Sequence, residues 1–163
     1  MIAIKPHHFV DILTALADGV TDPKPHAYGH AVHTVTKQIL ADPDVMLRME
    51  LGADDICAPC RHNIKGLCDD TIDTSYRPQA PKSKRDWNLV IDRRWCERLA
   101  IRQNDQMTAR ALCRRIRDRA GDITAIYREI PAERTAQRQT KLRMGTAAFL
   151  EQDPADSGPH ARS

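Results

Sequence analysis

Two periodicities alternate along this chain. Ile2 and Ile4 flank Ala3 in a short apolar opening that suits a strand. Pro6 then stands where a first helical turn accepts proline, and Phe9, Ile12, Leu13 and Leu16 follow at helical spacing until Gly19 supplies a stop. A turn of about 100° per residue sets His7, Asp11, Thr14 and Asp18 opposite that stripe. A proline-rich connector over 21–25 leads to a second expected helix over 26–40. Its apolar stripe is Tyr28, Ala31, Val32, Val35 and Ile39. Asp42-Pro43-Asp44 ends it. Val45, Leu47, Met49 and Leu51 then alternate with Met46, Arg48 and Glu50, the period-two pattern of a half-buried strand that can pair with the opening segment.

Beyond Gly52 the pattern breaks into a loop, and the stretch over 69–84 with Pro78 and Pro81 is too long for an ordinary connector. It is expected to lie over something, a metal site among the candidates. Ser83 can cap a helix whose apolar residues, Trp87 to Leu99, cover most of its circumference, so burial on more than one side is expected. Thr108 caps another helix with Leu112, Cys113 and Ile116, stopped by Gly121. Asp122 is placed to cap a short one with Ile123, Ile126 and Ile130. Pro131 and Glu133 begin a last helix with Leu142, Phe149 and Leu150. The expected fold is mostly α with a small two-stranded β element near the N-terminus, an α+β class. The expected domain organisation is one metal-binding domain over 1–152 and a disordered tail over 153–163.

Length changes little in this picture: 163 residues suffice for one domain with a core. Aromatic residues make up only 4%, so that core must rest on Leu, Ile, Val, Ala and Met. A formal charge of +3, with acidic and basic residues interspersed, argues against nucleic acid as the partner. No apolar run approaches the roughly 20 residues that span a bilayer, and the N-terminus does not read as a signal peptide. Five cysteines, an odd number, point to a reducing, cytoplasmic setting and to metal or thiol chemistry.

The candidate chemistry is concentrated in the loop D-D-I-C-A-P-C-R-H-N-I-K-G-L-C-D-D over 54–70. Cys57, Cys60 and Cys68 stand there in the order C-x2-C-x7-C. A tight turn brings the first two sulfurs to one side; Pro59 stiffens it, and Gly66 lets the chain fold back before Cys68. No second C-x2-C follows, so a zinc ribbon is excluded. Thiolates suit zinc or iron–sulfur clusters. Cys96 is the natural fourth sulfur, although a helical cysteine is equally a small buried hydrophobe; Cys113 reads as core, and His62 is a further candidate ligand.

Six of the seven histidines precede residue 63. On a helix over 26–40, His26, His30, His33 and Lys37 share one stripe; His7 and His8 stand at another helix start. A reactive centre needs proton donors and acceptors nearby, and histidine supplies them near neutral pH. The favoured reading is therefore a [4Fe–4S] cluster held by Cys57, Cys60 and Cys68 with one iron open. His7, His8, His30 and His33 are its acid–base candidates, and Lys37 and Arg61 suit an anionic small-molecule substrate. Removal of sulfur or water, by a desulfurase or hydro-lyase type of enzyme, is the chemistry such a site supports. Two alternatives stay open. One is a zinc-stapled module closed by Cys96 or His62, binding through the arginine-rich helices over 93–143. The other is a non-catalytic electron carrier with a fully ligated cluster.

The opening K-P-H-H at 5–8 and the D-D-I-C-A-P-C at 54–60, with a third cysteine soon after, resemble an uncharacterised prokaryotic family of small cysteine-rich proteins. The resemblance covers about the first half of the chain, followed by a helical half of similar layout, and it implies a metal site. Members of that family usually carry further cysteines beside a tryptophan near the end. The matching region here, I-T-A-I-Y-R-E-I-P over 123–131, has none, which makes Cys96 the candidate replacement or leaves the site open. The ligand count is also similar to that of small desulfidases acting on thiocarbonyl compounds, whose sequence pattern differs.

Overall fold

The apolar opening is a strand, and the alternating segment is its partner. In the computed structural model, which describes residues 1–151, β1 (Ile2–Ile4) runs parallel to β2 (Met46–Met49), with Ile2 opposite Leu47 and Ile4 opposite Met49. Parallel neighbours need a crossover. Here it consists of α1 (Pro6–Ala17) and α2 (Val32–Ala41). The strands are short, but Ile4, Leu47 and Met49 are fully buried. The tail expected from Asp153 lies outside the described residues.

The sheet has a third strand that periodicity did not reveal. β5 (Gln106–Thr108) pairs antiparallel with β2, giving the order β1-β2-β5. Three residues are too few to show alternation, and Met107 is the one apolar residue among them. The free side of β1 is closed by a side chain: Ala3 donates its N–H to Asp55 Oδ2 at 2.9 Å, and its carbonyl accepts from Asp55 N–H. An exposed strand edge is thus avoided.

Helices complete the α+β architecture. α3 (Lys84–Leu99) begins at Ser83, whose hydroxyl accepts from Asp86 N–H. α4 (Ala109–Arg119) begins at Thr108, which accepts from Ala111 N–H, and α5 (Ala132–Leu150) follows Pro131. The helix expected at Asp122 is not formed. Asp122 Oδ1 caps Thr124 N–H, and 124–129 make successive turns that bury Ile123, Ile126 and Tyr127. Tyr127 is fixed there because its hydroxyl accepts from Trp95 Nε1 at 2.9 Å.

The core is one cluster running from Ile2 to Leu150. Phe9 of α1 meets Phe149 of α5 edge-on, with ring centres 6.1 Å apart. Each such fully buried large side chain contributes roughly 1.5–3 kcal/mol. The two helices approach so closely that a Cβ at Gly145 would overlap the Leu13 carbonyl. α3 is buried through Trp87, Ile91, Asp92, Trp95, Cys96 and Leu99 and packs on both α1 and α4.

Candidate functional site

The cysteine loop is built by its own backbone and then pinned to β1. Ala58 N–H donates to the Asp54 carbonyl and Cys60 N–H to the Cys57 carbonyl, so C-A-P-C closes as a tight turn. Asn63 N–H donates back to the Cys60 carbonyl, leading into a hairpin of β3 (Asn63–Ile64) and β4 (Leu67–Cys68). Its two turn residues, Lys65 (φ 50°) and Gly66 (φ 87°), both take the left-handed region that a two-residue hairpin loop demands. That reversal brings Cys68 opposite Asn63 and returns the third sulfur toward the first two.

The three cysteines form part of a wall between two cavities. One, of about 400 Å³, also holds His7, His8, His30 and Lys84. The other, of about 190 Å³, is mostly apolar, with Leu51, Leu67 and Leu89 in its lining. Five residues face both: Lys5, Cys57, Cys60, His62 and Cys68. The long stretch after the loop does lie over something, since Asp70, Ile72 and Arg77 line the larger cavity.

Asp54 sets the position of this wall. Its carboxylate is buried and accepts from Lys5 N–H (2.8 Å), Cys57 N–H (2.9 Å) and His8 Nδ1 (2.7 Å). Burial works against its charge, yet the His8 hydrogen bond and the two backbone donors hold it far below the ordinary carboxylate range. His8 Nδ1 therefore carries the proton, leaving Nε2 as the acceptor. Burial, then the neighbouring His7, pushes the His8 pKa down. Burial, then the Asp54 charge, pushes the Cys57 thiol up to about 11, while Lys5 Nζ, 3.3 Å from its sulfur, pulls the other way.

His7 is the opposite case. Its Nδ1 lies 2.8 Å from both oxygens of Asp92, a residue of α3 with no exposure, and its backbone N–H also donates to that carboxylate. Burial alone would lower its pKa; the Asp92 charge and hydrogen bond prevail and raise it. The His7 and His8 rings are 4.3 Å apart between centres. Two adjacent imidazoles, each oriented by its own carboxylate, are thereby pushed in opposite directions.

The histidine stripe expected on the second helix does not form as such. Gly29 adopts φ 73° and α2 starts only at Val32. The backbone before it binds the cysteine loop instead, with Ala31 N–H donating to the Ile56 carbonyl and Arg61 N–H to the Tyr28 carbonyl. This detour carries His30 to the larger cavity. His26 stacks on His30 at 4.3 Å but is exposed, and His33 lines neither cavity. Lys37 pairs with Asp22 at 2.7 Å, and Arg61 lies over the Tyr28 ring; neither lines a cavity.

Of the expected ligands, Cys57, Cys60 and Cys68 line the same two cavities and Cys96 lines neither. Cys96 is in the core on α3, its thiol pushed up to about 11 by burial and by Asp92 and Asp105. It faces neither cavity, because the α3 turn that carries it points into packing against the rest of the core. Cys113 is likewise core, pushed up to about 12 by burial. Among the described residues, one set of three ligand-type atoms lies mutually within 4.8 Å: those of His8, Asp54 and Cys57. The three loop sulfurs do not reach that spacing as a set. Asp54, Lys5 and Asp92 escaped sequence reasoning as site residues; the signals were the K-P-H-H opening for Lys5 and the acidic pair before the first cysteine for Asp54, with none for Asp92.

Fold and site together define a small α+β domain with a cysteine-walled pair of cavities beside two carboxylate-oriented histidines. No family model, curated protein or solved structure matches the chain. No helix among the described residues is long and apolar enough to cross a membrane.

Proposed function

We propose that Cys57, Cys60 and Cys68 hold a [4Fe–4S] cluster with one iron left open, and that the chain acts on a small anionic, sulfur-containing substrate. The observation that carries this reading is the shared wall: three cysteines face the same two cavities, and no fourth cysteine does. Zinc–sulfur bonds of about 2.3 Å arranged tetrahedrally need sulfurs about 3.8 Å apart, whereas the three loop sulfurs do not all lie within 4.8 Å of one another. A bound cluster would supply Lewis acidity toward a substrate heteroatom.

The chain's own residues do the rest. The larger cavity, about 400 Å³, falls within the roughly 300–1,000 Å³ of small-molecule sites. Ile56, Ile72 and Trp87 make part of its lining apolar. His8, oriented by Asp54, presents an unprotonated Nε2 and is the proton acceptor. His7, paired with Asp92, is the proton donor. Desulfuration or dehydration needs one of each.

The deciding experiment is anaerobic purification followed by absorbance near 400 nm and by iron and sulfide analysis. A brown protein with about four irons and four sulfides per chain is expected; a colourless one with stoichiometric zinc ends the reading. A zinc-binding module is the second reading, favoured by the close set of His8, Asp54 and Cys57. Against it, every oxygen of that carboxylate already accepts a hydrogen bond.

A further inference from the structure

Lys5 is 6% exposed, an unusual state for a lysine, and buried lysines are normally paired. Its amine has no carboxylate within ion-pair distance among the described residues, and its one hydrogen-bond partner is Cys57 Sγ at 3.3 Å. Sulfur is a weak acceptor, and an ammonium has three donors to place. Nor does Asp54, the acid bound to its backbone, relieve it. Asp54 accepts the Lys5 backbone N–H, and both of its oxygens are otherwise taken by Cys57 N–H and His8.

The position is held firmly. Lys5 occupies the N-cap position of α1 and joins it to β1, so the stem emerges from the junction of two packed elements. Its side chain contributes to both cavities and stands in the same wall as the three sulfurs. The other cations of the larger cavity are engaged: Lys84 with Asp70 at 2.9 Å, Arg138 with Asp11 at 2.8 Å, and Arg77 with the Asp73 carbonyl at 2.8 Å and the rings of Tyr76 and Trp87. Beyond the Cys57 sulfur, which one N–H reaches, the amine has two donors left to place toward the cavities, where an anionic group can accept them.

We propose that Lys5 is the anion receptor of this site, its ammonium binding the sulfur- or oxygen-ended anionic group of a small ligand beside Cys57. The inference deepens the reading given under Proposed function by naming the residue that selects an anion, and it shares that site's wall. The residue also replaces Lys37 and Arg61, which sit outside the cavities, as the basic group that an anionic ligand meets.

Calorimetric titration of the as-purified protein with sodium thiocyanate and with sodium formate tests it. The two salts separate a sulfur-ended from a carboxylate-ended preference. Saturable one-to-one binding of at least one is expected. A charge-assisted hydrogen bond lost from a buried site should weaken it by about tenfold or more in Lys5→Met, with Lys5→Arg retaining most of the affinity. No saturable binding of either salt, or equal binding in Lys5→Met, overturns the proposal. Should Lys5→Met fail to fold, wild-type crystals soaked in bromide decide: an anomalous peak beside Lys5 Nζ supports it, and empty cavities overturn it. Metal content measured on the same samples separates the two readings. Lys5-dependent binding in a protein without iron would sink the cluster and keep the receptor; a loaded cluster with Lys5-independent binding would do the reverse.

Discussion

Five cysteines have two fates in this molecule. Cys57, Cys60 and Cys68 sit on a loop held by hydrogen bonds, half-buried, in a wall that two cavities share. Cys96 and Cys113 sit on α3 and α4, in the continuous apolar cluster. The regions around them differ in the same way. The surroundings of the loop are organised by polar groups, the buried Asp54 and Asp92 and the exposed Asp55, each binding backbone or a histidine. The helical half is organised by apolar contact, Trp95, Leu112 and Phe149 being fully buried. A thiol in the second setting is a small hydrophobe. In the first it has room, neighbouring charge and proton-transfer groups.

The largest effect that contrast implies is on metal content. Cys57→Ser, Cys60→Ser and Cys68→Ser are each expected to lose most of the bound metal, because hard hydroxyl oxygen replaces soft thiolate. Cys96→Ser should keep it in full and show only a modest loss of stability. Iron and zinc analysis of the four variants reads this directly. Metal lost from Cys96→Ser and kept in Cys68→Ser would invert the comparison.

Next in size is the polar anchor. Asp54→Ala removes the acceptor of three buried donors, and breaking a buried charged pair costs roughly 3–5 kcal/mol. Urea unfolding should show it, with near-wild-type behaviour in Asp54→Ala refuting the anchor role. The pH sign follows from the direction of the shift. The folded carboxylate is held below its ordinary value near 3.9, so its contribution is full above that value and is lost as pH falls through the folded one. Asp54→Asn should therefore flatten the acid limb of the stability curve.

This anchor also marks where the sequence stopped being legible. The strands at Ile2–Ile4 and Met46–Met49, the caps at Ser83 and Thr108 and the Pro131 start all follow from local pattern. The three-cysteine loop was visible for the same reason, since spacing and turn residues are local properties. What was not visible depends on contacts between distant segments. His7 meets Asp92 and Lys5 meets Cys57 across separations of 85 and 52 residues. The continuous helix over 26–40 failed because Gly29 and Ala31 answer to the cysteine loop and not to their own stripe. Cys96 was a matter of direction: its helix is near the site, but its side chain is not aimed there.

The apolar half has its own breaking point at Gly145. A methyl group there would overlap the Leu13 carbonyl, so α1 and α5 must separate. Overpacking of this kind costs about 1–3 kcal/mol, or more where backbone must move. Gly145→Ala should lower the urea midpoint while leaving metal content per folded chain unchanged. A loss of metal without a loss of stability would mean that the two regions are not separable in this way.

The smallest effect, and the one that sharpens the contrast inside the polar region, is the pH response of its adjacent histidines. His7 has a raised pKa, so the stability it contributes is full below the ordinary imidazole value near 6.5 and is lost as pH rises through the folded value. His8 has a lowered pKa; its contribution is full above that ordinary value and is lost as pH falls toward the folded one. The pair together should give a shallow stability maximum between the two limbs. Asp92→Asn removes the charge that raises His7 and should flatten the alkaline limb alone, leaving the acid limb that His8 produces. Nitrogen-detected titration of the two rings provides the independent check. Were both imidazoles to titrate together, their carboxylates would not be dividing them into a donor and an acceptor, and the proton traffic assigned to this wall would need other groups.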